Sequence, residues 1–151
     1  MKITPSKLNS FLMLKLPSAY LCGVRVKKID SNHCIASVKH RWINQNPFKS
    51  LFWAVQGMAA ELTTGALLIM KIRKSKTNMA MLLVKNDASY SKKATGRIYF
   101  ECSEGELIDS FIDKAIASGE GEAVTLNVVG KNSNGEEVSR FSFTWSVKVR
   151  S

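Results

Sequence analysis

Residues 51–70 carry apolar or small side chains broken only by Gln56, Glu61, Thr63 and Thr64. A helix on a protein surface keeps one polar face. Here apolar or small positions cover nearly every direction around the helix axis. The pattern predicts a helix buried on most sides. Ser50 stands where an N-cap belongs, and Lys71, Arg73 and Lys74 stand where cations complement a C-terminal dipole. The length approaches that of a membrane span. Three features favour burial in protein instead: Glu61 mid-helix, where a charge in lipid is costly; Gly57 and Gly65, which permit close backbone approach; and strand-like sequence afterwards.

Elsewhere the pattern changes period. Thr4-Pro5-Ser6 opens a helix whose Leu8, Phe11, Leu12, Leu14 and Leu16 read as plain core rather than as a lid or a membrane-surface face. Segments 23–30 and 33–43 alternate as hairpin strands, with turn residues Asp30-Ser31-Asn32 between them. After the central helix, 71–78 reads as a basic connector. Segment 79–90 reads as a strand that starts with a buried run through Val84. A loop at 92–96 precedes an alternating strand at 97–103. Segment 104–118 is a second helix, closed by Gly119. Two long strands, 122–129 and 138–149, flank Asn134-Gly135, a type I′ hairpin signal. The order predicts an α+β domain covering 1–151, with an antiparallel sheet curled around the central helix.

Composition adds limits. With 151 residues, 45% of them hydrophobic, the chain suffices for one real core. The net charge of +10 suits a solvated surface, phosphate-bearing small molecules or anionic membranes. Nucleic acid is disfavoured as a partner: the cations are spread along the chain, and the aromatics fall in strand-core positions rather than on a stacking platform. Cys22, Cys34 and Cys102 lack metal spacing, and their odd number argues against a full disulfide framework. His33 and His40 do not suggest a metal site. No signal peptide is visible, which makes a reducing cytoplasm the expected location. Gly-rich phosphate loops and a Ser-His-Asp pattern are missing from the sequence.

The layout resembles the hotdog fold of acyl-CoA thioesterases and dehydratases, in which an antiparallel sheet wraps a long central helix. The local match is to the phenylacetate-type thioesterase branch. Asn46 stands at that branch's Asn. Six residues later Phe52-Trp53-Ala54 stand at its His-Gly-Gly, and Ala59-Ala60-Glu61 at its Leu-Ala-Asp, without a gap. Lys92-Lys93-Ala94-Thr95-Gly96 is similar to its basic loop. The hairpin around Asn134-Gly135 is similar to its C-terminal one. The N-terminal helix and the helix at 104–118 resemble an uncharacterised hotdog branch known only as a domain of unknown function.

The resemblance implies hydrolysis of an acyl-CoA at the interface of a homodimer or a dimer of dimers. Glu61 would be general base or nucleophile, with Asn46 and Thr64 beside it. The backbone N–H groups of Trp53 and Ala54, at a helix start, would hold an oxyanion. Phe48, Phe52, Lys92 and Lys93 would bind substrate, and coenzyme A would enter only as part of that substrate. Lys71, Arg73, Lys74 and Lys76 are further candidates for its phosphates. Plainer readings stand beside these. Glu61 also reads as a buried carboxylate accepting hydrogen bonds from a loop or subunit. Asn46 reads as a turn residue before Pro47, Thr64 as a hydroxyl bonded to its own helix, and the cations as solvated surface. The alternative function is a non-catalytic hotdog protein binding an acyl or other apolar ligand. Phe52-Trp53-Ala54 favours it, and the spacing of Asn46 and Glu61 favours hydrolysis.

Overall fold

The structure, a computed structural model, describes residues 2–151. Six strands form one antiparallel sheet in the order β1-β2-β4-β5-β6-β3. They are β1 (Arg25–Ile29), β2 (Cys34–Lys39), β3 (Met79–Tyr90), β4 (Arg97–Cys102), β5 (Glu122–Asn132) and β6 (Glu137–Val149). The helices are α1 (Pro5–Lys15), α2 (Pro17–Leu21), α3 (Trp53–Ser75) and α4 (Gly105–Ser118).

Period-two strands present Phe100, Leu126, Phe141, Phe143 and Trp145 to one core. Into that core α3 brings Ala59, Ala60, Leu67 and Leu68, all fully buried. The expected close approach at the helix glycines is not required: a Cβ on Gly65 would lie 3.5 Å from Trp145 Cζ2, and one on Gly57 3.9 Å from Phe141, both ordinary contacts. Trp145 Nε1 donates to Thr64 Oγ1 at 2.9 Å, which ties β6 to α3 inside the core. A long helix held against one antiparallel sheet is the hotdog arrangement, as the resemblance implies.

The boundaries of α3 differ from the expected ones. Leu51 is held outside the helix by an isolated bridge to Gln45 and by its N–H bond to Ala94 O. The N-cap is Phe52, without a side-chain capping bond. The Ser50 hydroxyl bonds Asn46 instead. At the other end the helix runs through the expected connector to Ser75 and stops at Lys76, whose φ of 58° is left-handed.

α4 matches its expected span. It buries Ile108, Phe111, Ile112 and Ala115, and Gly119 closes it at φ 66°. It docks tightly: a Cβ on Gly105 would sit 2.2 Å from Ser31 O, so only glycine fits there. Lys71 of α3, 4% exposed, donates to Asp109 of α4 at 2.6 Å.

Three further expectations change. First, only Leu12 of α1 is buried; Phe11, Leu14 and Leu16 are exposed and do not join the core. Asn9 fixes this helix by bonding both the N–H and the C=O of Val26, which covers part of the β1 edge. Second, the apolar start of β3 is not a buried run. This strand lies at the sheet edge and pairs with β6 alone, which leaves Leu82 and Val84 exposed. Third, the hairpin is not type I′. Gly135 has φ 80°, while Asn134 is absent from the left-handed region. The Gly135 N–H bonds Asn132 O at 3.0 Å, as in a type I turn followed by a left-handed glycine.

Cys34 and Cys102 face each other across β2 and β4. Burial, first of all, pushes the Cys34 thiol up to about 12. Burial also leads the rise of Cys102 to about 11, opposed by a backbone hydrogen bond at Glu104. Neither thiol is a ready nucleophile.

Candidate active site

The loop before α3 is built by two asparagines. The buried Asn44 accepts from Arg41 N–H and donates to Cys22 O and Lys39 O. Asn46 accepts from the N–H groups of Phe48 and Ser50 and donates to Ser50 Oγ and Leu51 O. Its carboxamide is thus engaged by its own loop, as the plainer reading of a turn residue has it. The tip residue Lys49 takes φ 62°, a conformation an L-residue adopts at some cost.

This loop is clasped to the segment after β3. Leu51 N–H bonds Ala94 O at 2.9 Å, and Lys93 Nζ donates to Phe48 O at 3.1 Å. Between them opens a cleft of about 530 Å³. Phe48, Phe52, Trp53 and Tyr90 give it an aromatic wall, with Lys92 and Lys93 at the same opening. Phe48 is 70% and Trp53 61% exposed, so apolar surface faces outward here. Lys92 pairs with Glu136, which leaves Lys93 the more available cation.

The start of α3 supplies donors. Val55 and Gln56 N–H groups bond Phe52 O. The N–H groups of Trp53 and Ala54 belong to the first turn and find no acceptor among the described residues. They carry the positive end of the helix dipole.

Glu61 stands about 12 Å further along the axis. It is half-buried, beside Gly65 and near Trp145. Burial raises its carboxyl above the ordinary carboxylate range. Its carboxylate has no hydrogen-bond donor among the described residues, so the plainer reading, a carboxylate satisfied by a neighbouring loop, finds no loop donor in the single chain. Ala54, Gly57, Met58 and Glu61 form a partly open stripe at three- and four-residue spacing. The cleft wall of the single chain does not include Glu61.

Thr64 is fully buried. Its hydroxyl donates to Glu61 O at 2.9 Å and accepts from Trp145. It braces the helix turn that carries Glu61, and is not open to a ligand in the single chain. The structure therefore gathers Asn46, Phe48, Phe52, Trp53, Lys92 and Lys93 around one cleft. Ala54 adjoins it along the helix, while Glu61 and Thr64 stand apart.

Sequence reasoning missed Gln56 and Tyr90, which also line the cleft. Gln56 is 4% exposed, and its Oε1 has no hydrogen-bond partner. A buried carbonyl oxygen without a donor is a place where a ligand N–H or O–H fits. Its signal was available: it is a polar break in an apolar helix.

The other cations sit elsewhere. Lys71 is committed to Asp109 and cannot serve a phosphate. Arg73, Lys74 and Lys76 line a second cleft at the far end of α3, on the order of 30 Å from Trp53. Among the described residues, no group of His, Cys, Asp and Glu could hold a metal ion. No described helix is long and apolar enough to cross a membrane.

Comparison with known proteins gives three findings. The profile of DUF4442, a domain of unknown function, matches residues 6–147. No curated protein matches the chain. Solved structures match over nearly the whole length. One is PA5026 from Pseudomonas aeruginosa, described as a protein of unknown function and "Probable Thioesterase". It is 17% identical with a TM-score of 0.82, and 97% of each chain is covered. Another is the thioesterase HI1161 from Haemophilus influenzae, 13% identical with a TM-score of 0.73, covering 99% of this chain and 93% of the other. A protein of unknown function from Chlorobaculum tepidum is 17% identical with a TM-score of 0.83, covering 97% of this chain and 94% of the other. At these identities the likeness speaks for the fold.

Proposed function

The chain belongs to the DUF4442 family, whose domain has no assigned function, and we propose that it is an acyl-CoA thioesterase working as a homodimer, or a dimer of dimers, in the cytoplasm. Several of the fold's solved relatives, PA5026 and HI1161 among them, carry the word thioesterase in their descriptions, which supports the reaction class.

The observation that carries the reading is Glu61. It is a carboxylate on an otherwise apolar helix, raised in pKa by burial, without a protein donor, on the partly open stripe of α3. A carboxylate in that condition is a stronger base than one in water. The open β3 edge near this stripe supports the dimer: unpaired strand edges invite a partner. Pairing of two copies along β3 would bring the loop and helix start of one copy toward Glu61 of the other.

In the proposed reaction Glu61 takes a proton from water as the water oxygen attacks the thioester carbonyl. The oxyanion so formed accepts from the N–H groups of Trp53 and Ala54. The C–S bond then breaks, the thiolate of coenzyme A leaves with the proton held by Glu61, and the free acid remains. As nucleophile, Glu61 would instead form an acyl anhydride that water cleaves. Phe48 and Phe52 would face the acyl chain, and Lys92 and Lys93 the phosphates of coenzyme A. Asn46 keeps the loop in shape, and Thr64 fixes the turn below Glu61.

Release of free thiol from a panel of acyl-CoAs tests this. The wild type should turn over at least one member, and Glu61→Gln should lower turnover by about two to four orders of magnitude. The bulk of Trp53 where the resembled branch has glycine favours the second reading, a non-catalytic acyl-binding protein. Acyl-CoA binding without any thiol release by the wild type would establish that reading and end the first.

A further inference from the structure

The N-terminal helical corner has an outer surface unlike that of an ordinary surface helix. Leu8 and Leu12 turn α1 toward the core. Lys7, Phe11 and Leu14, at i, i+4 and i+7, share an exposed flank beside that buried face. Leu14 is 72% exposed and Leu21 of α2 is 67% exposed, and Phe11 and Leu16 are exposed as well. An ordinary surface helix is polar where it is exposed; this one also exposes Phe11, Met13 and Leu14.

The charges around it are mostly positive. Residues 2–29 contain Lys2, Lys7, Lys15, Arg25, Lys27 and Lys28 and no Asp or Glu. Lys7 Nζ bonds Lys2 O at 2.9 Å, which joins this face to the second cleft. There Lys2 meets Arg73, Lys74 and Lys76 over Ile3, Ile29 and Met70, in a space of about 600 Å³. One acid, Asp30, also lines that cleft, and it is paired with Lys28 at 3.4 Å.

We propose that the α1–α2 corner docks on the surface of an anionic lipid bilayer, with Phe11, Leu14 and Leu21 entering the headgroup boundary and the surrounding cations facing lipid phosphates. Charge complementarity selects this occupant. Outward leucines and a phenylalanine among lysines suit an interface that is apolar below and negative above. A second copy fits poorly, since it would bring one basic surface against another in a chain of net charge +10. The docking is peripheral: α1 has 11 residues, too few to span a bilayer. The inference stands independently of the proposed hydrolysis.

The test is co-sedimentation of the full chain with vesicles of phosphatidylcholine, with and without phosphatidylglycerol. The protein should bind the anionic vesicles at least tenfold more tightly than the neutral ones, and raised salt should weaken the binding. The double substitution Phe11→Ser with Leu14→Ser removes exposed side chains. It should keep the thermal transition of the wild type and lose at least tenfold in vesicle affinity, and Lys7→Glu with Lys15→Glu should do the same. Failure of the wild type to bind anionic vesicles would overturn the proposal. So would wild-type vesicle affinity in the doubly serine-substituted protein. Conversion of an oligomer to a monomer by the serine pair, without a change in vesicle binding, would assign the face to a second copy and likewise overturn it.

Discussion

Folding removes Glu61 from water without giving its carboxylate a donor, so the neutral form is favoured in the native state. Its folded pKa lies above the ordinary 4.5. Between those two values the native state binds more protons than the unfolded chain. The contribution of this group to stability is therefore complete below about pH 4.5 and is lost as pH rises through the folded pKa. Glu61→Gln removes the titration. In urea it should unfold later than the wild type at about pH 8 and together with it near pH 4. Coincident curves at both pH values would show that water or a partner already satisfies the carboxylate. At this scale the sequence was partly legible. Glu61 stood out because an apolar helix excludes charge, and Asn46 because a short motif has a fixed spacing. Gln56 showed only as a polar break in the helix, because an orphaned carbonyl oxygen is a property of packing. Lys71 misled for the same reason: only the approach of α4 shows that its ammonium is committed to Asp109.

At the scale of elements, that contact clamps α4 to α3. Lys71 is buried and Asp109 is 49% exposed, which makes the clamp asymmetric. Asp109→Asn leaves a buried ammonium with a weaker partner and should cost about 1–3 kcal/mol, less than a fully buried pair because water reaches the carboxylate side. Lys71→Met, an apolar side chain of similar length, should cost less than Asp109→Asn. Chemical denaturation of the two variants checks this, and an equal loss in both would contradict it. The elements themselves were readable where one pattern covered the whole segment, as in α4 and in β6 with its buried Phe141, Phe143 and Trp145. Reading failed where apolar residues met no cover. The 79–84 run and the outer side of α1 look like core in the sequence, because hydrophobicity does not state whether a neighbour exists. The start of α3 shifted because a tertiary contact, Leu51 to Ala94, outweighed local capping.

For the whole molecule, two regions of exposed apolar surface have different expected partners. The N-terminal corner is basic and suits a bilayer. The β3 edge and the open stripe of α3 suit a second copy. Ala88 is exposed and lies opposite the core residue Phe141 on β6, hence on the helix side of the sheet. Sedimentation at micromolar concentration should show a dimer, and Ala88→Arg should shift it toward monomer. A wild type that stays monomeric would count against the assembly and against any site shared between copies. The hotdog layout was legible because its helix must be buried on most sides, and one antiparallel sheet meets most of that demand, leaving the stripe of Ala54, Gly57, Met58 and Glu61 partly open. The proposed shared site was not, because the single chain leaves Glu61 outside the cleft. Turnover of an acyl-CoA by wild type and Glu61→Gln across pH is the most direct measurement. It should give a wild-type limb in kcat/KM rising with a midpoint above 4.5, and a loss of about two to four orders of magnitude in the variant, with the limb abolished. Full activity in Glu61→Gln would contradict Glu61 as the catalytic carboxylate.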